Sequence, residues 1–233
     1  MKRLFLISTL LCMAAINAAA QAVVQTPKTE EDGFQWVEER KGPKVGARES
    51  AEGRWLVPRK YYYVSYKSGD DYRLPQFIAY DRKKNAQLLY TPQGKRLIPA
   101  RRGYNLIVCH PYYYFDDNSH MYKAFYYGVR TKEGMGICNT KGKQIVFIKG
   151  AQLISPKYEE GHFYYLIRKD GLYGIMDGKG RIVIEPTQKE NIICTFGKFK
   201  VKDEEVEGGF RDIGDIDLVT TNENLLPGEM VKD

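Results

Sequence analysis

The residues with the clearest potential for recognition are two runs of three consecutive tyrosines. Six of the 18 tyrosines form these runs, which are Tyr61, Tyr62, Tyr63 and Tyr112, Tyr113, Tyr114. Side chains alternate between the two faces of a strand, so part of each run is expected to be exposed. Exposed tyrosine rings on a rigid β-surface stack on sugar rings or anchor a protein partner. The alternative is that these rings pack in the core or at a sheet edge.

Three arginines recur at one position of a repeated pattern. Each precedes a glycine of the pattern by the same interval, and they are Arg82, Arg130 and Arg168. Such a set fits a structural ladder, in which each guanidinium stacks beside aromatic rings or pairs with carboxylates. It also fits a stripe of anion-binding groups. The sequence leaves both interpretations open.

The residue types needed for catalysis and metal binding are present, but their spacing does not group them. His110, His120 and His162 are separate, and Cys109 would face the opposite side of a strand from His110. Serine-hydrolase, zinc-protease and phosphate-loop motifs are lacking. Adjacent carboxylates such as Glu159 and Glu160 would be the candidates for a secreted hydrolase. The sequence predicts no catalytic residue, no metal site and no cofactor.

The elements that must position these side chains are predicted from an internal repeat. Four segments share a pattern of glycine, a basic residue, one free position and two aliphatic residues, and they begin at Gly53, Gly94, Gly142 and Gly180. In the last three copies a phenylalanine also precedes the glycine by a constant interval, at Phe77, Phe125 and Phe163. Short aromatic and β-branched runs separated by Gly and Asp are typical of strands joined by tight turns. The predicted class is all-β, with antiparallel β-hairpin repeats in an open twisted array or a small propeller-like assembly.

The best copy of this repeat resembles a known family. The segment GLYGIMDGKGRIVIEP (171–186) is similar to the WG repeat of exported bacterial proteins, a β-rich unit written around a Trp-Gly pair. The residues that match its pattern are Gly174, Asp177, Gly180, Arg181, Ile184 and Pro186. The family's tryptophan is replaced by Tyr173 here and by Met135 in the preceding copy, and Gln87 and Leu88 replace the pair in the copy before that. The resemblance implies a β-repeat fold and no particular activity.

Residues 1–20 have the features of a cleavable signal peptide. Lys2 and Arg3 precede an apolar run that extends to Ile16, and three alanines follow at positions 18–20. An apolar run of about 13 residues is short for a bilayer core of about 30 Å. Cleavage is expected after Ala20, which makes the mature protein periplasmic or extracellular.

A lipid anchor and a transmembrane segment are not expected. Cys12 lies in the apolar run, but the two residues before it are leucines, whereas lipoprotein processing requires small residues there. No later segment reaches the roughly 18 consecutive apolar residues of a membrane-spanning helix. Cys109, Cys138 and Cys194 remain after cleavage, and this odd number permits at most one disulfide. A disulfide framework is therefore not predicted.

Charge divides the chain into a basic body and an acidic end. Residues 21–202 carry 32 basic and 19 acidic side chains, whereas residues 203–233 carry two basic and ten acidic ones. A basic body fits an anionic partner, or a solvated surface balanced by the acidic end. Export makes nucleic acid an unsuitable partner. The predicted domains are a linker (21–34), a β-repeat domain (35–202) and an acidic C-terminal extension (203–233).

These features favour a binding protein over an enzyme. The leading hypothesis is an exported, non-enzymatic repeat protein that binds a partner protein or a cell-envelope component through its β-surface. The first alternative is a glycan-binding module that uses the exposed tyrosines. The second is a secreted hydrolase.

Overall fold

The computed structural model describes residues 22–69, 73–115, 120–159, 161–219 and 229–230. The described chain folds into antiparallel strands with two short 3-10 turns and no α-helix, so the all-β prediction is confirmed. The predicted signal peptide, its cleavage site and Cys12 lie outside the described residues. No helix in the described part of the chain is long and apolar enough to cross a membrane.

The described chain forms two compact units, and the first comprises two four-stranded sheets. In each sheet the strands follow one another as an antiparallel meander. Sheet 1 is β1 (Val23–Thr29), β2 (Gln35–Lys41), β3 (Lys44–Arg48) and β4 (Trp55–Tyr61), and sheet 2 is β5 (Tyr63–Lys67), β6 (Gln76–Asp81), β7 (Ala86–Tyr90) and β8 (Arg96–Ile98). A 3-10 turn, Ala100–Arg102, follows β8. Both sheets contribute side chains to one core, among them Trp36, Val57, Phe77 and Tyr90.

The second unit contains three further sheets. Sheet 3 is β9 (Leu106–Phe115), β10 (Met121–Arg130), β11 (Gly134–Cys138) and β12 (Gln144–Lys149). Sheet 4 is β13 (Ala151–Glu159), β14 (His162–Lys169), β15 (Leu172–Asp177) and β16 (Ile182–Gln188). Sheet 5 is β17 (Ile192–Thr195), β18 (Lys198–Lys202) and β19 (Phe210–Asp215). A second 3-10 turn covers Ile216–Leu218. The short strand β20 (Glu229–Met230) pairs with β10.

Sheet 4 is buried on both faces, which explains the unbroken apolar run of β14. Phe163, Tyr165 and Ile167 belong to a core shared with sheet 3. Tyr164 and Leu166 point the other way, into a core shared with sheet 5. A strand covered on both sides is continuously hydrophobic in sequence rather than alternating.

The repeated glycines close equivalent turns before the last strand of sheets 2, 3 and 4. Gly94, Gly142 and Gly180 have φ values of +86°, +78° and +90°, which glycine adopts without steric cost. In the turn of sheet 4 the Gly180 N–H donates to the Asp177 carbonyl oxygen over 3.0 Å. The Asp177 carboxylate accepts hydrogen bonds from the main-chain N–H of Lys179 and of Arg181 and from the Arg181 side chain. Asn139 makes the equivalent main-chain contacts in sheet 3.

A second set of glycines permits close passage of neighbouring strands. Gly46, Gly136 and Gly174 lie in the third strands of sheets 1, 3 and 4, and Gly174 is the glycine of the WG-like motif. A Cβ atom at any of them would collide with the fourth strand. The atoms it would meet are the Arg59 nitrogen at 2.6 Å, the Val146 oxygen at 2.6 Å and the Ile184 oxygen at 2.5 Å, respectively.

Sheet 2 has no glycine at this position, and its short fourth strand explains why. Leu88 stands where the repeat register places Gly136 and Gly174. The strand β8 has three residues and pairs with β7 only at Leu89 and Tyr90. The chain then turns away into the 3-10 turn, so the close passage that demands glycine is not made.

Sheets 1 and 5 each include residues from both sides of a predicted domain boundary. The predicted linker contains β1, whose seven side chains are all exposed and which carries Pro27. An edge strand of this kind has no alternating hydrophobic pattern, so the sequence gives no sign of it. Residues of the predicted acidic extension form β19, which completes sheet 5. Asp215 and Asp212 in this strand form ion pairs with Lys198 and Lys200 of β18, and this pairing places an acidic segment in a sheet.

Short apolar runs lie in the first strands of sheets 3, 4 and 5. Residues 106–108 lie in β9, residues 153–154 in β13, and residues 192–194 in β17. Short runs of this kind carry no information about which neighbour they pair with.

Replacement of Asp177 tests the turn of the best repeat. Asp177→Ala is expected to lower the free energy of unfolding by about 2 kcal/mol, since it removes three hydrogen bonds of roughly 0.5–1.5 kcal/mol each. Asp177→Asn keeps the acceptor that Asn139 supplies in sheet 3, so it should cost less than about 1 kcal/mol. Urea denaturation measures both, and equal losses would contradict this role for the side chain.

The difference in stability between the parent protein and Asp177→Asn is predicted to depend on pH. Burial raises the pKa of Asp177, but hydrogen bonds from the main chain and side chain of Arg181 outweigh it and hold the pKa below its ordinary 3.8. Because the folded-state pKa is the lower one, the stabilisation is complete above the unfolded-state pKa and is lost as the pH falls through the folded value. The stability advantage of the parent over Asp177→Asn should therefore shrink in acid. An advantage that stays constant in acid would contradict the account.

Gly174→Ala tests the close passage of β16. The new Cβ would lie 2.5 Å from the Ile184 oxygen, so the free energy of unfolding should fall by about 3 kcal/mol or more. Gly161→Ala is the control, because Gly161 has a φ of +79° and no atom near its Cβ position. It should lose only the roughly 1–2 kcal/mol of a left-handed backbone. A smaller loss at Gly174 than at Gly161 would show that the strands are not in close contact there.

Candidate functional site

The first tyrosine run divides between the core and the surface. Tyr61 is buried, and its hydroxyl lies 2.6 Å from the hydroxyl of Tyr90. Burial raises the pKa of Tyr90, and the hydrogen bond with Tyr61 raises it further, so Tyr90 stays protonated. Tyr62 and Tyr63 are 49% and 51% exposed. The prediction that part of the run is exposed is confirmed.

Tyr62 and Arg82 come together in a cleft of about 660 Å³ in the first unit. The Arg82 guanidinium carbon lies 5.3 Å from the centre of the Tyr62 ring. The walls come from the β2–β3 turn, the β4–β5 junction and the β6–β7 turn. We call this the Tyr62–Arg82 cleft, and its lining residues are Pro43, Lys44, Lys60, Tyr61, Tyr62, Asp81, Arg82 and Lys83.

The Tyr62–Arg82 cleft is strongly basic. Among the described residues, eight line this cleft, and four of them are cationic whereas one, Asp81, carries a carboxylate. One oxygen of Asp81 accepts hydrogen bonds from the main-chain N–H groups of Lys83 and Lys84, at 3.1 and 3.2 Å, so this carboxylate holds the β6–β7 turn. Within the described residues, none of the four cations forms an ion pair. The positive charge is therefore available to an anionic ligand.

A second basic cleft of about 390 Å³ adjoins the first. The two share Lys60, Tyr61 and Asp81. The second cleft adds three cations, Lys84, Arg96 and Arg101, and its apolar wall includes Leu88. Arg101 belongs to the 3-10 turn after the shortened strand β8. Sheet 2, which has Leu88 in place of the third-strand glycine, thus has a second basic cleft beside its short fourth strand.

The second tyrosine run serves mainly the core of the second unit. Tyr112 is buried, and Tyr114 stacks on Tyr122 with 5.2 Å between ring centres. Tyr113 faces the other side of β9 and is 45% exposed, with the Lys123 ammonium 6.0 Å from its ring. The alternation expected of a strand is observed. The run does not form a cluster of three exposed rings.

The remaining aligned arginines differ in their surroundings. Arg168 lies over the Tyr173 ring at 5.3 Å and donates from Nε to the Gly171 carbonyl oxygen, which fits the structural ladder. Arg130 lines a separate cleft of about 390 Å³. All three arginines, including Arg82, are exposed. Arg82 thus combines the two expected roles, since it stacks on a ring and faces a cleft.

The histidines and cysteines are not assembled into a reactive site. His110 stacks on Tyr126, and burial lowers the pKa of His110. Cys109 and Cys138 are buried thiols on the strands that flank β10, and Cys194 is a half-buried thiol. Among the described residues no group of three His, Cys, Asp or Glu side chains could hold a metal ion. Glu159 ends β13, and Glu160 lies outside the described residues.

Sequence reasoning identified Tyr62 and Arg82 but missed their partners. Lys44, Lys60 and Lys83 lie in or beside turns, where lysine is common and carries no signal by itself. These residues become one surface only because sheets 1 and 2 pack on a common core. The one available signal was the lack of acidic residues near Tyr61–Tyr63, where Lys60 and Lys67 flank the run.

Comparison with known proteins adds no assignment. The chain matches no protein-family model, no curated protein and no solved structure. The motif residues of the repeat and the geometry of the basic cleft are therefore the observations from which a function can be proposed.

Proposed function

We propose that this chain is an exported, non-enzymatic binding protein of the WG-repeat type whose Tyr62–Arg82 cleft binds an acidic glycan of the cell envelope. The observation that carries the proposal is a half-exposed Tyr62 ring that lines one cleft together with four cations. Tyrosine rings offer an apolar face to a sugar. Arginine and lysine bind the carboxylate or sulfate groups of acidic sugars, and arginine does so with two parallel hydrogen bonds.

The dimensions of the cleft support a saccharide ligand. Its volume of about 660 Å³ lies within the range of roughly 300–1,000 Å³ typical of small-molecule sites. The adjoining cleft continues the basic surface past Lys60 and Asp81. A chain of several charged sugars therefore fits better than a single small anion.

The composition of the cleft favours binding over hydrolysis. Glycoside hydrolysis normally uses two carboxyl groups about 5–9.5 Å apart. Among the described residues, Asp81 is the one carboxylate that lines the Tyr62–Arg82 cleft, and its Oδ1 accepts hydrogen bonds from the turn N–H groups.

A protein partner is the second candidate, and a different surface favours it. Tyr113 and Phe115 project from the same face of β9 and are 45% and 55% exposed. Exposed aromatic residues near a basic group are typical of interface anchors. This surface belongs to sheet 3 in the second unit and shares no residue with the Tyr62–Arg82 cleft.

Binding of tetragalacturonate, a short acidic oligosaccharide, tests the proposed function. Tyr62→Ala should weaken binding about 2- to 12-fold, because it removes an aromatic face worth roughly 0.5–1.5 kcal/mol. Arg82→Ala should weaken it about 10-fold or more, because a hydrogen bond to a charged group contributes about 1.5–3 kcal/mol. Isothermal titration calorimetry at low salt gives both affinities, and added salt should weaken binding by screening.

Matched controls separate the cleft from general surface charge. Tyr63→Ala removes an equally exposed neighbouring ring that does not line the cleft, and Arg54→Ala removes an exposed arginine elsewhere in the first unit. Both should bind tetragalacturonate as the parent does. Equal losses in controls and cleft variants, or equal binding of neutral cellotetraose, would contradict the acidic-glycan proposal. Release of shortened or unsaturated products would overturn the non-enzymatic part.

A further inference from the structure

The Tyr62–Arg82 cleft occupies a place that the repeat creates more than once. Its walls are the second turn of one sheet, the junction to the next sheet, and the second turn of that next sheet. In the first unit these are Pro43–Lys44, Lys60–Tyr62 and Asp81–Lys83. The same three segments can meet wherever two consecutive sheets of one unit pack together.

The second unit has a cleft at the equivalent place between sheets 3 and 4. Its lining includes the β10–β11 turn, residues 131–133, and the β12–β13 junction, residues 150–152. The second turn of sheet 4 approaches as well, because the Lys169 Cε lies 3.4 Å from the position that a Cβ on Gly150 would take. Lys169 holds the same place in the repeat relative to Gly180 as Lys83 holds relative to Gly94.

This second cleft is also rich in positive charge. Arg130 and Lys132 line it, and Lys169 lies at its junction wall. In the part of the chain that the structure describes, Glu133 is the one acidic residue that lines this cleft. Two hydrogen bonds hold the main chain of the β10–β11 turn. The Glu133 carbonyl accepts from the Gly150 N–H at 2.7 Å, and the Glu133 N–H donates to the Thr131 hydroxyl at 3.0 Å. The cations therefore project from a turn whose main chain is held in place.

The two clefts differ in the residues of their junction walls. The junction of the first carries the exposed ring of Tyr62, whereas the junction of the second carries Gly150, Ala151 and Gln152. The second cleft thus offers charge without an aromatic face. It is suited to the anionic group of a sugar more than to its ring.

We propose that the cleft around Arg130 and Lys132 is a second anion-binding site, related to the Tyr62–Arg82 cleft by the repeat, and that both bind charged groups of one acidic polysaccharide chain. This inference rests on the proposed function and extends it from a single site to bivalent recognition. Two sites joined in one protein bind a long polymer more tightly than either binds a short oligomer, because the second contact is intramolecular.

The test compares a short with a long ligand. The probes are tetragalacturonate and polygalacturonate, and the variant is Arg130→Ala/Lys132→Ala. The double variant should lose about 100-fold or more in affinity for the polymer, since linked binding typically contributes a factor of about 100 or more. Its affinity for tetragalacturonate at the Tyr62–Arg82 cleft should be unchanged. The stoichiometry for the tetramer should fall from two to one.

A matched control removes the same charge from the same sheet. Lys141→Ala/Lys143→Ala changes two lysines in the β11–β12 turn, which do not line the cleft. This control should lose less than about threefold in affinity for the polymer, because only screened surface charge is removed. Thermal denaturation of both double variants verifies that each one is folded.

The outcomes distinguish the two proposals. If Arg130→Ala/Lys132→Ala binds the polymer as the control does, the second site is refuted and the Tyr62–Arg82 proposal stands. If Tyr62→Ala and Arg82→Ala leave tetramer binding intact while Arg130→Ala/Lys132→Ala removes it, the proposed function of the first cleft fails. If the parent binds neither probe, both proposals fail.

Discussion

The structure depends on one constraint, which is that a small four-stranded sheet cannot bury its apolar face alone. A single repeat unit leaves its hydrophobic face exposed to water, and stacking against a neighbouring unit supplies the missing core. Sheets 1 and 2 share one core in the first unit, and sheet 4 is covered on both faces in the second. The aromatic run of β14 is the clearest result of this constraint.

Stacking also fixes where the connecting segments and their charges lie. Where Leu88 replaces the glycine of the third strand, β8 is short and a basic cleft lies beside it. The cations of the Tyr62–Arg82 cleft form no ion pair among the described residues, whereas Asp212 and Asp215 of sheet 5 pair with lysines of β18. The lysines of β18 are thus neutralised by carboxylates of their own sheet, whereas the cations beside the exposed Tyr62 ring are not. This difference supports the proposal that an external anion binds in the Tyr62–Arg82 cleft.

Much of the fold could be predicted from the sequence, and the limits have physical causes. Turn glycines and Asp177 report local backbone geometry, so the all-β class and the repeat register followed from them. The strand β1 has no buried side chain and therefore no hydrophobic pattern. The exposure of Tyr113 followed from strand alternation, whereas Tyr62 is exposed because it lies in the junction between β4 and β5. The meeting of Tyr62 with Lys44 and Arg82 requires two sheets to pack, and no local pattern contains that information.

Amide chemical-shift mapping of the isotope-labelled protein with tetragalacturonate is the most direct test of the central claim. The account predicts that the largest shifts fall on residues 44, 60–62 and 81–83, with a second and weaker group at residues 130–134 and 150–152. Shifts centred on residues 113–115, or spread evenly over all exposed lysines, would contradict it.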